Sequence, residues 1–318
     1  MNITTAVTNH NKIPLRSMLA YTLIFLMIGA SVVLHNREMI LPEVAALAVG
    51  GLIYRNPGWL SRPFHIFLLP SLTATGGFLI NNAEFPLAAK LILAVAFVLL
   101  TLLLFKSTLA PALATGLLPV ITNITSVYFI YAIATFTALL AASMYAKPGA
   151  SGMHSVSKRR HQDNILYFGL ISAWILICAQ NGWMHMAAMP PVLVVGFESV
   201  HKEDYQFAVF YKQVLCLFIA AFTGVLSLYY LHNLLLSAVI DLIAVTFLLR
   251  LVKFKFPPAY AMALLPMVLP GASPKYFYWQ VLVTAAVVLG GIYSYKNLRL
   301  NRQFKLVFAR VNGRRKQG

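Results

Sequence analysis

The sequence predicts an all-α polytopic membrane protein, with about 10–12 membrane segments in two parallel repeats and short proline-broken half-helices. Three observations predict it. The chain is 60% hydrophobic and 10% charged, with a mean hydropathy of +0.76, where soluble domains carry about 25% charged residues. Apolar runs at 17–34, 87–105, 126–145 and 276–295 are long enough to cross about 30 Å of hydrocarbon at 1.5 Å per residue. Finally, "APALATGLLPVI" at 110–121 returns in altered form at 258–269 as "PAYAMALLPMVL".

The first run follows a long polar start, "MNITTAVTNHNKIPLRS", and lacks a small-residue cleavage signature. It is therefore expected to be a retained helix and not a signal peptide. The first half continues with segments at about 40–53, 64–82, 87–105, 108–121 and 126–145. The stretch 146–163, "AKPGASGMHSVSKRRHQD", is a flexible basic linker. The second half reads as about 164–181, 185–199, 206–230, 233–252, 257–270 and 276–295. The division is thus 1–145, linker 146–163, 164–295, and a basic tail 296–318.

A shift of 147 places Pro111, Ala112, Ala114, Leu117, Leu118 and Pro119 on Pro258, Ala259, Ala261, Leu264, Leu265 and Pro266. It also places Gly77 on Gly224 and His65 on Lys212, and with one residue of slippage Pro42 matches Pro190. Six segments per half return the chain to the same side, so the repeats are expected to be parallel.

The net charge of +17 does not imply nucleic acid. With the N-terminus inside, all of the 25 Lys and Arg residues except Arg37, Lys90 and Lys275 fall in or beside cytoplasmic segments, which is the positive-inside pattern. Both termini are then cytoplasmic, and a bacterial inner membrane is the expected setting. In the tail, Phe304, Phe308 and Val311 recur at helical spacing among basic residues, as in an interfacial helix on anionic lipid. Cys178 and Cys216 lie in apolar runs and read as packing residues. Asn123-Ile-Thr would accept a glycan only on the outer side of a eukaryotic secretory membrane.

Segments two and five of each half are too short to span comfortably and carry prolines, which break helices. Irregular backbone at membrane depth persists where protein buries it or where it lines a path, so Pro111, Pro119, Pro258 and Pro266 mark a candidate substrate path. Close packing by small residues is the competing reading. Thr73, Thr75, Thr115, Gly77, Gly116 and Gly224 could line the same path or pack helices. Ionisable groups within the membrane are candidate coupling or electrostatic sites. Asp241 sits near mid-depth, with a proton or cation site and a satisfied structural carboxyl as its two readings. Lys212 and His65 could attract an anion or extend to the interface. Glu43 suits a helix N-terminus or a gate. A Lys212–Asp241 ion pair is not expected, since their depths differ by roughly 15 Å.

"LAPALATGLLPVI" and "FPPAYAMALLPMVL" resemble the "HPPAGATALIPV" type of motif of the HPP family of integral membrane proteins. "SRPFHIFLLPSLTATGGFLI" and "PEVAALAVGGLI" resemble segments that precede that motif. The chain resembles two fused units, covering roughly 40–121 and, more weakly, 190–270. The namesake histidine is replaced by Leu109 and Phe256, and the first proline is Ala110 in the first copy. The resemblance implies transport of a small inorganic anion such as nitrite.

The expectation is a secondary transporter or facilitative channel for a small solute, an anion, with a path between the repeats. It has no cofactor, no metal and no enzymatic role, and could form a homo-oligomer or join a complex. The rivals are a non-catalytic scaffold subunit of an envelope complex and a membrane enzyme acting on lipid-linked substrate. The latter chemistry needs clustered acids or histidines.

Overall fold

A computed structural model describes residues 15–145, 161–269 and 274–315, and the side chains of 15–145, 162–269 and 276–299. The first half comprises α1 (Leu15–Val33), α2 (Pro42–Ala48), α3 (Pro57–Leu60), α4 (Phe64–Asn81), α5 (Leu87–Leu104), α6 (Ala112–Thr122) and α7 (Tyr128–Tyr145). The second comprises α8 (His161–Gln180), α9 (Met184–Ala187), α10 (Pro190–Val200), α11 (Phe207–Leu231), α12 (Leu234–Leu251), α13 (Pro258–Leu264) and α14 (Pro274–Arg315). Among the described residues there is no strand.

Among the described residues, eight helices are long and apolar enough to cross a membrane, namely α1, α4, α5, α7, α8, α11, α12 and α14. The protein is a multi-pass integral membrane protein. Large apolar side chains such as Leu79, Leu100 and Phe247 point outward and are exposed, which suits a lipid-facing surface. The shorter helices α2, α6, α10 and α13 are the buried ones, with nearly every residue of each inaccessible. At 1.5 Å per residue, the 11 residues of α6 and of α10 cover roughly half the hydrocarbon thickness.

The segment around α6 nevertheless runs the length of α4. Asn81, the last residue of α4, donates from Nδ2 to Asn123 Oδ1 (3.3 Å) and to the Ile124 carbonyl (3.0 Å), just past α6. At the opposite end of α4, His65 packs edge-on against Phe105, with ring centroids 6.2 Å apart. A small cavity of about 30 Å³ gathers Arg62, His65, Lys106 and Leu109 there. The chain from Thr108 to Asn123 therefore accompanies α4 along its whole length, and its irregular flanks make up the distance.

Helices α4 and α6 approach closely. A Cβ on Gly77 would lie 2.0 Å from the Gly116 carbonyl oxygen, and one on Gly224 in α11 would lie 2.1 Å from the Ala263 carbonyl oxygen in α13. Only glycine permits either crossing. Further features recur at residues 147 apart. Lys106 and Lys253 both take left-handed backbone after α5 and α12, as do His35 and Gly182 after α1 and α8.

The two ends of the bundle differ in chemistry. One gathers Arg62, Lys106, Lys202 and Lys255. The other exposes Tyr128, Trp183, Tyr229, Tyr230, Tyr276 and Trp279, an interfacial aromatic belt, with Lys90 donating to the Asn81 carbonyl at 2.6 Å. The linker expected at 146–163 lies outside the described residues as far as 160. Helix α14 continues without interruption to Arg315, so most of the segment set apart as a tail extends the last helix. Its expected stripe of Phe304, Phe308 and Val311 lies outside the described side chains.

Candidate functional site

Each short helix starts at a proline. Pro42, Pro190 and Pro258 occupy the first turns of α2, α10 and α13, and Pro111 caps α6. Proline is favourable there because its missing N–H would have had no intrahelical partner. Three of the four are irregular further on: α2 widens into a π-helical turn over Val49–Ile53, α6 contains Pro119, and Pro266 lies in the 3-10 turn Leu265–Met267 that closes α13.

The four helices meet at one central constriction. Its lining is Pro42, Glu43 and Ala46 from α2, and Pro111, Ala114 and Leu118 from the α6 segment. Pro190, Pro191 and Val194 come from α10, and Pro258, Ala261 and Leu265 from the α13 segment. The free space is about 10 Å³, about the minimum for one water molecule. Each helix contributes residues three or four apart, the spacing of one helical face. The α6 and α13 triplets are 147 apart; Pro42 and Ala46 stand 148 from Pro190 and Val194.

Beyond the constriction, at the basic end, opens a vestibule of about 420 Å³. Its walls continue the same faces, with Gly50 and Tyr54 following Ala46, and Glu198 and Lys202 following Val194. Asn56, Trp59, Thr108, His201 and Lys255 complete much of the rim. Trp59 is buried against Gly50, where a Cβ would lie 2.3 Å from the indole.

A polar scaffold holds the α10 side of this rim. His201 Nδ1 donates to the Phe197 carbonyl (2.7 Å), and Nε2 lies 2.8 Å from the Asn164 side chain. The Tyr205 hydroxyl donates to Gln213 Oε1 (2.6 Å), which Ser199 also approaches at 3.3 Å. Burial pushes the Tyr205 phenol up to about 12, keeping it a donor at neutral pH. Asp163, on the vestibule wall, is held by Arg299 (2.8 Å) and Lys296 (3.9 Å) from α14. Burial pushes the Lys202 ammonium down, and the neighbouring Glu198 carboxyl opposes the shift.

The structure brings some of the sequence-derived candidates together and disperses others. Pro111, Pro258 and Glu43 share the constriction. Glu43 is 2% exposed and its Oε1 has no hydrogen-bond partner. Thr73, Thr115, Gly77 and Gly116 occupy the α4–α6 crossing, where the two threonine hydroxyls bond at 2.6 Å, and Gly224 occupies the α11–α13 crossing. Thr75 donates to the Ser71 carbonyl at 2.8 Å. None of these six lines the vestibule or the constriction.

Lys212 and His65 are also elsewhere. Lys212 Nζ donates to the Val252 carbonyl (3.3 Å) and so caps the end of α12. His65 takes the corresponding place against Phe105 at the end of α5. Asp241 is completely buried in α12, with neither carboxyl oxygen hydrogen-bonded. The Ser227 hydroxyl faces it from α11, a turn beyond Gly224; Thr223, better matched to its depth in the sequence, donates instead to the Ala220 carbonyl. Cys178 and Cys216 are buried and unbridged. Among the described residues, no three His, Cys, Asp or Glu side chains converge as a metal site.

Comparison with known proteins adds no identity. No family model, curated protein or solved structure matches this chain.

Sequence reasoning missed the vestibule residues, above all Trp59, Glu198, His201, Lys202 and Lys255. A signal for two of them was present. Counting in fours from Pro190 gives Val194, Glu198 and Lys202, so the face that begins at a proline leads to the charged rim.

Proposed function

We propose that the protein is a transporter of a small solute, with a small anion as the first substrate class, and that its path runs through the constriction between the two halves. The observation that carries this reading is the 420 Å³ vestibule ending on a constriction made by four proline-started helices. Interrupted helices at membrane depth persist where protein buries them or where they line a path, and their presence at corresponding places in the two halves favours the path. A vestibule closed at its inner end by about 10 Å³ of free space is the geometry of a carrier open to one side.

The anion preference rests on the charges around the rim. Lys202 and Lys255 stand there against Glu198, while Asp163 is already paired with two cations. The HPP-like phrases, which begin at Leu109 and Phe256, place Pro111 and Pro258 at the constriction, which supports a nitrite-sized substrate. The concentration of Lys and Arg at the vestibule end supports placing that end in the cytoplasm, with anionic lipid bound along the basic end of α14.

The fold is read as two parallel copies of one six-segment unit. Support comes from contacts repeated at one offset: Gly77 against Gly116 and Gly224 against Ala263, and His65 on Phe105 and Lys212 on Val252. The left-handed pairs Lys106 and Lys253, and His35 and Gly182, add to this. Both copies contribute equally to the constriction, so the path lies on their pseudo-two-fold axis.

Purified protein in proteoliposomes, assayed for uptake of nitrite, nitrate, formate, acetate and benzoate, tests the reading. Saturable uptake of at least one anion above empty vesicles is expected. Absence of flux for every anion, in vesicles of verified orientation, would overturn it in favour of a scaffold role.

A further inference from the structure

We infer that Glu43 is a proton-carrying gate, and that an anion passes the constriction only together with the proton on this carboxyl. The inference rests on the transport reading above and names its coupling ion. Glu43 alone among the residues lining the constriction is titratable. Its counterpart in the second half, 148 residues on, is Pro191, so two otherwise matching sets of helices place a single carboxyl between them.

The surroundings decide its state. The remaining lining is proline, alanine, valine and leucine. Oε1 has no hydrogen-bond partner and the side chain is almost wholly inaccessible. Charged groups on neighbouring elements do not reach it. Of the elements packed on α2, α1 carries Arg16 and Tyr21, and the π-helical turn Val49–Ile53 carries no titratable group. Helix α7 carries Tyr128, Tyr131 and Tyr145, and α13 carries Tyr260. None of these lines the constriction, and Tyr260 is engaged with Thr246 at 3.0 Å. Among the described residues Glu43 has no ion-pair partner. The first turn of α2 and the Glu43 backbone N–H favour the charged form. But one end of a seven-residue helix is a weak compensation for burial among apolar groups with no counter-charge, so the closed constriction holds the neutral acid.

Anion passage follows from that state. A carboxylate at the narrowest point repels an anion and admits none. The neutral acid presents an O–H donor that can hydrogen-bond the anion as it passes. In one cycle, a hydronium ion on the aromatic-belt side gives up a proton to the Glu43 carboxylate, its O–H bond breaking to leave water as the Oε1–H bond forms, and the anion enters. When the constriction opens to the vestibule, the O–H bond breaks toward vestibule water and the anion leaves beside it. One proton and one monovalent anion cross together, so the cycle moves no net charge. Glu198 and Lys202 stand on the vestibule rim as ionisable groups at the exit.

The test uses proteoliposomes loaded with a pH-sensitive dye, with the membrane potential clamped. Nitrate is the primary probe, because its conjugate acid is too strong to leak as a neutral species, and nitrite is a second probe against empty vesicles. An imposed anion gradient is expected to drive proton entry in the natural protein. In Glu43→Gln that proton movement should fall at least tenfold while anion exchange persists, and Glu43→Asp should restore part of it. Undiminished coupling in Glu43→Gln would overturn the inference and leave the transport reading standing. No flux of either anion in the natural protein would overturn the transport reading and the coupling with it. Infrared spectra of the purified protein at neutral pH decide the state of Glu43 independently of flux. A protonated-carboxyl carbonyl band lost in Glu43→Gln is expected, and its absence from the natural protein would sink the gate.

Discussion

Lys202 is the residue whose ionisation most directly sets the charge of the vestibule. It stands on the rim one helical turn past Glu198, and burial lowers its affinity for a proton. The ammonium is therefore lost at a lower pH than that of a free lysine, and the rim becomes less attractive to anions as pH rises through that range. Uptake should weaken on the alkaline side through a rising KM, with kcat less affected. Lys202→Arg keeps its charge throughout and should hold KM constant to higher pH. Lys202→Ala should raise KM at neutral pH by about fivefold, the equivalent of about 1 kcal/mol for a partly exposed charge. Parallel pH profiles for the natural protein and the arginine variant would remove Lys202 from the site. Individual residues were unevenly legible. Glu43 is marked in the sequence only as an acid after Pro42, a helix-start cap or a gate. Asp241, inside an apolar run near mid-depth, stands out more, yet lines neither the constriction nor the vestibule. Lys212 and His65 stood out for the same reason, yet each serves a helix end, because a position near a membrane boundary does not reveal which carbonyl or ring is within reach.

Helices were the most legible scale, since length and apolar content are set locally. The expected segments at 64–82, 87–105 and 126–145 correspond to α4, α5 and α7, and the short segments correspond to α2, α6, α10 and α13. The use made of small residues was less legible, because a glycine that lines a path and one that admits a neighbouring backbone have the same sequence signature. Geometry separates them. At Gly77 and Gly224 an added methyl would meet a carbonyl oxygen of the main chain near 2 Å, and a backbone cannot move aside as a flexible side chain can. Gly77→Ala and Gly224→Ala should each destabilise the protein by about 1–3 kcal/mol, read as a lower unfolding temperature in detergent. Gly29→Ala is the matched control, since nothing lies within 4 Å of its Cβ position. In mid-helix that change should be neutral or stabilising by up to about 1 kcal/mol. Equal melting temperatures for all three variants would mean that α4 and α6, and α11 and α13, do not cross this closely.

For the whole molecule, the direction of the vestibule decides what the site can do. The composition already implied a bundle of membrane helices, and the Lys and Arg distribution implied an inside. Neither could show that the basic end and the cavity are at the same end, because the cavity exists only once four distant helices have converged. Their coincidence links orientation to function: a vestibule lined by Lys202 and Lys255 on the cytoplasmic side would deliver an anion into the cell, or collect one from it, beneath the constriction. Single cysteines test this directly. Cys178 and Cys216 are both buried, so background labelling by a membrane-impermeant maleimide should be low in the natural protein. Asn56→Cys on the vestibule rim should label in inverted membrane vesicles and resist reagent in intact cells. Glu84→Cys, in the turn between α4 and α5 at the end where Lys90 meets Asn81, should show the opposite pattern. Pre-incubation with a transported anion should slow labelling at Asn56→Cys, which lies beside the proposed path, and leave Glu84→Cys unchanged. The reverse sidedness would place the basic end outside and break the link between the charge distribution and the direction of the vestibule. Labelling of both cysteines from both sides would mean that the constriction does not separate the two compartments, and the carrier reading would give way to an open pore.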